Sequence, residues 1–273
     1  SPKSAQDTMK QLPVLEPGDK PRKATWYALT APGDSPCARV GHSCSYLPPV
    51  DDTKRGKIFI IGGANPNQSF SDVHTMDLGT HRWDLATQEG LLSRYEHASF
   101  VPSCTPGSIW VFGGADQSGN RNCLQVLNPG DMRWQQLSPT GAMPAGCAAH
   151  SAAAVGKHVY VFGGMTATGA LDTMYRYHTE KQHWTLLKFD TRLPPGRLDH
   201  CMCIIPWPVT SAEKDSESVT WNCEAEEGDS NDKVTQRGDL HEECQADTLL
   251  CFVFGGMNTE GDIYDDCIVT VVD

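Results

Sequence analysis

The chain has 273 residues, 39% of them hydrophobic, with a formal net charge of −12 and 11 cysteines. This is enough apolar content for a buried core. No apolar run approaches the ~20 residues of a membrane-spanning helix, and no basic stripe is present for a nucleic-acid backbone. The stretch from Ser1 to Met9 lacks the apolar segment of a secretory signal. The cysteines are scattered with no Cys-x-x-Cys pair, which fits reduced thiols serving as small hydrophobes better than a disulfide framework or a zinc site.

In chain order, residues 1–25 read as a flexible leader, and Trp26-Tyr27-Ala28-Leu29 is a short strand carrying a tryptophan. A four-part unit then begins. It opens with a His-bearing strand, Arg39-Val40-Gly41-His42-Ser43, followed by an apolar run into a twin glycine, Ile58-Phe59-Ile60-Ile61-Gly62-Gly63. An alternating strand, Asp72 to Asp77, and a tryptophan strand, Trp83-Asp84-Leu85, complete it.

The second unit repeats the series with Arg94 to Ala98, Ile109 to Gly113-Gly114, Asn122 to Leu127 and Trp134 to Leu137. The third runs through Cys147 to Ser151, Val159 to Gly163-Gly164, Asp172 to Tyr177 and Trp184 to Leu187. The fourth has Arg197 to Cys201, Cys251 to Gly255-Gly256 and Asp266 to Val271, and no tryptophan strand.

The first three glycine pairs are spaced 51 and then 50 residues apart, and in each of the first three units Trp lies 20 residues after the second glycine. A period of this size marks a propeller repeat in which each unit is one four-stranded blade. The near-continuous hydrophobicity of the second strand fits a strand buried on both faces. The strand census predicts an all-β, four-bladed ring whose last blade is closed by the N-terminal Trp26 strand, removing the exposed sheet edge; the alternatives are an open arc or an assembly of two chains. The propeller then occupies residues 26–273. It is interrupted at about 210–248 by an insert with twelve acids against three bases, a composition expected to stay disordered. By strand order the insert joins the first and second strands of the last blade.

This pattern resembles the kelch repeat, and the likeness extends from Trp26 to Asp273. In an antiparallel meander the second-to-third and fourth-to-first loops share one face, which gathers residues 64–71, 115–121, 165–171 and 257–264 with the loops ahead of each His-bearing strand. The resemblance implies that this face recruits a protein partner, often through arginines at the start of the inner strand. Arg39, Arg94 and Arg197 match that position and Cys147 departs from it; the residues alone equally fit arginines that orient a loop or pair with an acid in the blade. Asn65, Asn67, Gln117, Arg121 and Asn258 complete the expected partner-binding set.

The equivalent histidines His42, His97, His150 and His200 read as hydrogen-bonded scaffold groups, since the repeat sets their spacing. There is no His-Glu-x-x-His, no Gly-x-Ser-x-Gly and no phosphate-cradling loop. No catalytic, cofactor or metal residue is therefore expected.

Within the kelch family the segments Met9 to Asp19, Arg39 to Pro49 and Asn258 to Gly261 with the terminal Val-Val-Asp are similar to its Rab-effector branch. That likeness implies a non-enzymatic partner of a GTP-bound late-endosomal Rab GTPase, active in transport from late endosome to trans-Golgi network. The protein would then be cytoplasmic and only peripherally held at those membranes. The junction of Leu127-Asn128-Pro129 with Gly130 to Trp134 reads as a shortened form from which whole units were removed in phase. The rival readings are a kelch substrate adaptor or other protein scaffold, and a metal-dependent kelch enzyme.

Overall fold

The computed structural model describes residues 11–51, 55–208 and 248–272. Among them every regular element is a β-strand. Four sheets of antiparallel meander succeed one another along the chain, the third extended by the two-residue strand Thr140–Gly141 in parallel. Blade 1 consists of Ser43–Leu47, Lys57–Ile61, Val73–Asp77 and Trp83–Thr87. Blade 2 consists of Ala98–Phe100, Ile109–Phe112, Leu124–Asn128 and Arg133–Gln136. Blade 3 consists of Ser151–Val155, His158–Phe162, Met174–His178 and His183–Leu186. Blade 4 has three strands, Cys201–Trp207, Thr248–Phe254 and Cys267–Val272. The expected insert falls between the first two of these; its disorder concerns residues outside the described ones.

The core lies between blades and not within them. Leu47, Phe59 and Val73 of blade 1 pack on Val111 and Leu127 of blade 2. Phe100, Trp110 and Phe112 of blade 2 meet Val159, Val161 and Tyr177 of blade 3, and Phe162 and Met174 of blade 3 meet Cys251 and Val253 of blade 4. The second strands touch a neighbour on both faces, so Ile109–Phe112 is buried throughout. Each such side chain contributes about 1.5–3 kcal/mol by leaving water.

The twin glycines are where the blades interlock. Both members of all four pairs have positive φ, near +65° to +69° at the first and +91° to +103° at the second. A Cβ on Gly164 would lie 2.8 Å from the His150 Cβ, so only glycine admits the approach.

Three backbone bonds then recur at each blade junction. Gly63, Gly114 and Gly164 donate to the carbonyls of Arg94, Cys147 and Arg197 at 2.9, 2.8 and 2.9 Å. Arg94, Cys147 and Arg197 in turn donate to Phe70, Arg121 and Leu171, and Glu96, Ala149 and Asp199 donate to Gly41, Glu96 and Ala149.

This set is made three times and not a fourth. Among the described residues Gly256 does not donate to Arg39, nor Gly41 to Asp199. A Cβ on Gly255 would meet only Tyr264 of its own blade, whereas one on Gly62, Gly113 or Gly163 would meet the next blade. Among the described residues none of these bonds joins blade 4 to blade 1. The expected closure of the last blade by the Trp26 strand is not shown: Ala28 bridges Val14, and Trp26 is 83% exposed. The linker after Trp26 is anchored to blade 1 through Gly33–Trp83 and Asp34–Trp83 contacts; the strand stays there without meeting blade 4 because blade 4 makes none of the junction bonds that would bring its free edge alongside.

Candidate protein-interaction face

The second-to-third loops of blades 1–3 fold as small hairpins, Ala64–Asn65 with Gln68–Ser69, Ala115–Asp116 with Gly119–Asn120, and Met165–Thr166 with Gly169–Ala170. The fourth-to-first loops are bonded to them through Arg94–Phe70, Cys147–Arg121 and Arg197–Leu171. The two loop sets therefore share one face, as the meander requires.

The three arginines at the start of the inner strands are not presented on it. The Arg39 side chain is 3% exposed and grips both oxygens of Asp72 at 2.6 and 3.1 Å while stacking on Phe70, 3.8 Å from the ring centre. Burial alone would raise the Asp72 carboxyl, but the Arg39 bonds outweigh it and hold the group below the usual carboxylate range.

Arg197 is fully buried, donates to Asp266 at 2.6 and 2.8 Å and to the Gly255 carbonyl, and lies over Tyr264. Arg94 is also fully buried but has no carboxylate; it donates to Gln125 Oε1 at 2.5 Å, to the Leu92 and Gly113 carbonyls and to Cys123 Sγ. Burial lowers its pKa. The second strands end one residue before the glycines, at Ile61, Phe112, Phe162 and Phe254, and pair there with Val73, Leu124, Met174 and Cys267. That register makes Asp72, Cys123, Thr173 and Asp266 equivalent. Where Arg is replaced by Cys147, the acid is replaced by Thr173.

Three of the other expected residues are also committed to local structure. Asn65 accepts from the backbones of Asn67 and Gln68, Arg121 pairs with Asp116 and donates to the Ser93 carbonyl, and Asn258 ties its own turn through Glu260 and Asp262. Asn67 and Gln117 remain exposed, and the structure brings them together. They line opposite sides of a polar cleft of about 400 Å³ between the first two hairpins, with Ser69, Ser93 and Ser118.

The sequence reading missed an apolar set on the same face. Leu92, Met143 and Leu193 each stand nine residues after a repeat tryptophan, in equivalent fourth-to-first loops, and are 40%, 41% and 38% exposed. The repeat spacing that located the tryptophans would have located these as well.

Three scaffold histidines cross the blade junctions. His97 Nε2 meets Ser43 Oγ at 2.9 Å, His150 Nε2 the Phe112 carbonyl at 2.9 Å, and His200 Nε2 Ser151 Oγ at 2.6 Å. Burial, aided by the neighbouring Arg94 and Arg197 charges, lowers His97 to about 3 and His150 and His200 to about 4, so they are neutral. Among the described residues no three His, Cys, Asp or Glu side chains converge as metal ligands.

Residues 19–209 match the model of the KLHDC2/KLHL20/DRC7 Kelch-repeats domain. The chain is similar to proteins named Rab9 effector protein with kelch motifs: 54% identical to that of Rattus norvegicus (97% of this chain, 100% of the relative) and 58% to that of Homo sapiens (97% and 100%). A protein of that name from Xenopus laevis is 35% identical, with 96% of this chain and 99% of the relative covered. The aligned span with the rat protein, 372 positions, is longer than the 273 residues of this chain.

Proposed function

The chain belongs to the kelch-repeat family, as a shortened relative of the Rab9 effector proteins with kelch motifs, and from that premise we propose that it is a non-enzymatic interaction module for a Rab GTPase. The loop face is the docking surface. The observation that supports this most is the exposure of Leu92, Met143 and Leu193 in three successive fourth-to-first loops, Leu92 adjoining Ser93 of the polar cleft of Asn67 and Gln117; exposed apolar groups with polar neighbours are what protein partners bury. Rigid blades hold these loops in place, which limits the ordering cost of binding.

The partner is the GTP-bound form of a late-endosomal Rab, and the process is transport from late endosome to trans-Golgi network. Membrane association is peripheral and runs through the lipid-anchored GTPase; among the described residues no helix is long and apolar enough to cross a bilayer. An effector of this kind reads the switch state and leaves the nucleotide intact.

Calorimetric titration with Rab9, loaded with a GTP analogue or with GDP, tests the reading. Saturable binding to the triphosphate form alone is expected. Equal binding to both forms, or none from a cooperatively folded chain, would overturn it.

A further inference from the structure

The two ends of the blade array are complementary to each other, and each is unpartnered. At the trailing end the outer edge of Cys267–Val272 pairs with no strand among the described residues. Beside that edge lies a cavity of about 270 Å³, lined by the strand residues Phe162, Met174, Cys251, Val253, Ile268 and Thr270 and by the blade 3 exit loop that carries Leu193.

The six strand residues have counterparts one blade earlier. The strand registers align Phe162 with Phe112, Met174 with Leu124, Cys251 with Val159, Val253 with Val161, Ile268 with Tyr175 and Thr270 with Tyr177. The counterparts belong to one core cluster around Trp184, whose ring sits 5.0 Å from Phe112 and 4.9 Å from Tyr177 and is 1% exposed. The cavity is thus the place a repeat tryptophan fills in blade 3.

The leading end carries the matching piece. Trp26 is 83% exposed and stands seven residues before Gly33, which pairs in parallel with Trp83. Trp134 stands seven residues before Gly141, which pairs in parallel with Trp184. Trp134–Gly141 links blade 2 to blade 3, so the Trp26 segment sits where the outer strand of a blade preceding blade 1 would be.

The faces behind these elements are also bare. Blade 4 exposes Phe254, Val269 and Val271 at 45%, 55% and 62%, and blade 1 exposes Val40 and Tyr46 at 71% and 52%. Gly256 N–H and the Arg39 carbonyl are the donor and acceptor of the missing fourth junction.

We propose that two copies of this chain associate head-to-tail, blade 4 of one against blade 1 of the other, with the Trp26–Leu29 strand of the second copy added to the free edge of Cys267–Val272 and its Trp26 filling the cavity. A second copy is the fitting occupant because its leading face is built from the residues that already close three junctions within the chain. The chain's own Trp26 is held at blade 1 by the Gly33–Trp83 and Asp34–Trp83 contacts, and among the described residues its own blade 4 makes none of the junction bonds there. The contact is heterologous, so it either closes as a ring or propagates.

Sedimentation velocity over a wide concentration range tests this with the full chain. Wild type should self-associate. Trp26→Ala, at an exposed position that leaves the fold intact, should weaken association roughly a hundredfold, as loss of a buried aromatic anchor does. Thr270→Arg, at the half-buried lip of the cavity, should do the same. Mixing the two variants should restore a complex, since one supplies the intact cavity and the other the intact tryptophan. A wild type that stays monomeric, association that survives Trp26→Ala, or no recovery on mixing would each overturn the proposal.

Discussion

Arg197 and Asp266 form a two-point ion pair at 2.6 and 2.8 Å, with the guanidinium fully buried and the carboxylate at the surface. The pair fastens the start of the inner strand of blade 4 to the start of its third strand, and Arg197 also donates to the Gly255 carbonyl at 3.0 Å. The carboxylate is held below its usual range by the Arg197 bonds. Arg197→Met leaves Asp266 and the Gly255 carbonyl without their donor, and should cost about 2–3 kcal/mol, less than for a wholly buried pair because Asp266 reaches solvent. Asp266→Asn should cost less. Thermal melts followed by circular dichroism check both.

Arg94 makes the contrasting case, since its acceptors are neutral. Gln125 Oε1 is the shortest of them at 2.5 Å. Gln125→Leu takes the shortest acceptor from a buried guanidinium, leaving it the Leu92 and Gly113 carbonyls and Cys123 Sγ, and should destabilise by about 2 kcal/mol. The double variant Arg94→Met with Gln125→Leu removes the under-partnered charge and should recover part of that loss, which a double-mutant cycle measures.

The junction histidines give the fold an acid sensitivity. Their folded-state pKa values lie near 3 to 4, below an unfolded value of 6.5, so the unfolded chain binds more protons between these limits. Their contribution is complete above pH 6.5 and is lost as pH falls towards 4. Each should contribute about 2 kcal/mol less at pH 5 than at pH 7. Denaturant midpoints measured across this range should fall with acid, and His150→Phe should flatten the slope.

Gly164 sits at φ +103° with the His150 Cβ only 2.8 Å from where its own Cβ would be. Gly164→Ala should cost about 2–4 kcal/mol, combining backbone strain with displacement of the neighbouring strand. Gly119→Ala, with φ +133° and open space around it, should cost about 1–3 kcal/mol from the backbone term alone. Comparing the two separates blade contact from conformational strain.

Much of this architecture was legible because it repeats. The spacing from the twin glycines to Trp83, Trp134 and Trp184 identified the blades, and buried second strands such as Ile109–Phe112 follow from unbroken apolar runs. The fate of Trp26 was not legible, because closure depends on the summed angle of four blades, which no single unit encodes. The direction of Arg39, Arg94 and Arg197 was hidden for a different reason, since a guanidinium aimed inward and one aimed outward have the same spacing. A signal did exist: Arg39 and Arg197 keep an acid at Asp72 and Asp266, while Cys147 lacks both arginine and acid. It was masked by aligning Asn122 and Asp172 with those acids, one residue away from the structural register.

The central claim is that the loop face takes the GTPase through its repeated apolar residues. Calorimetry of Leu92→Ser, Met143→Ser and Leu193→Ser combined, against the GTP-analogue form of Rab9, tests it most directly. These side chains are 38–41% exposed, so the variant should melt within about 2 kcal/mol of wild type yet bind at least tenfold more weakly. Unchanged affinity in a folded variant would contradict the assignment of this face.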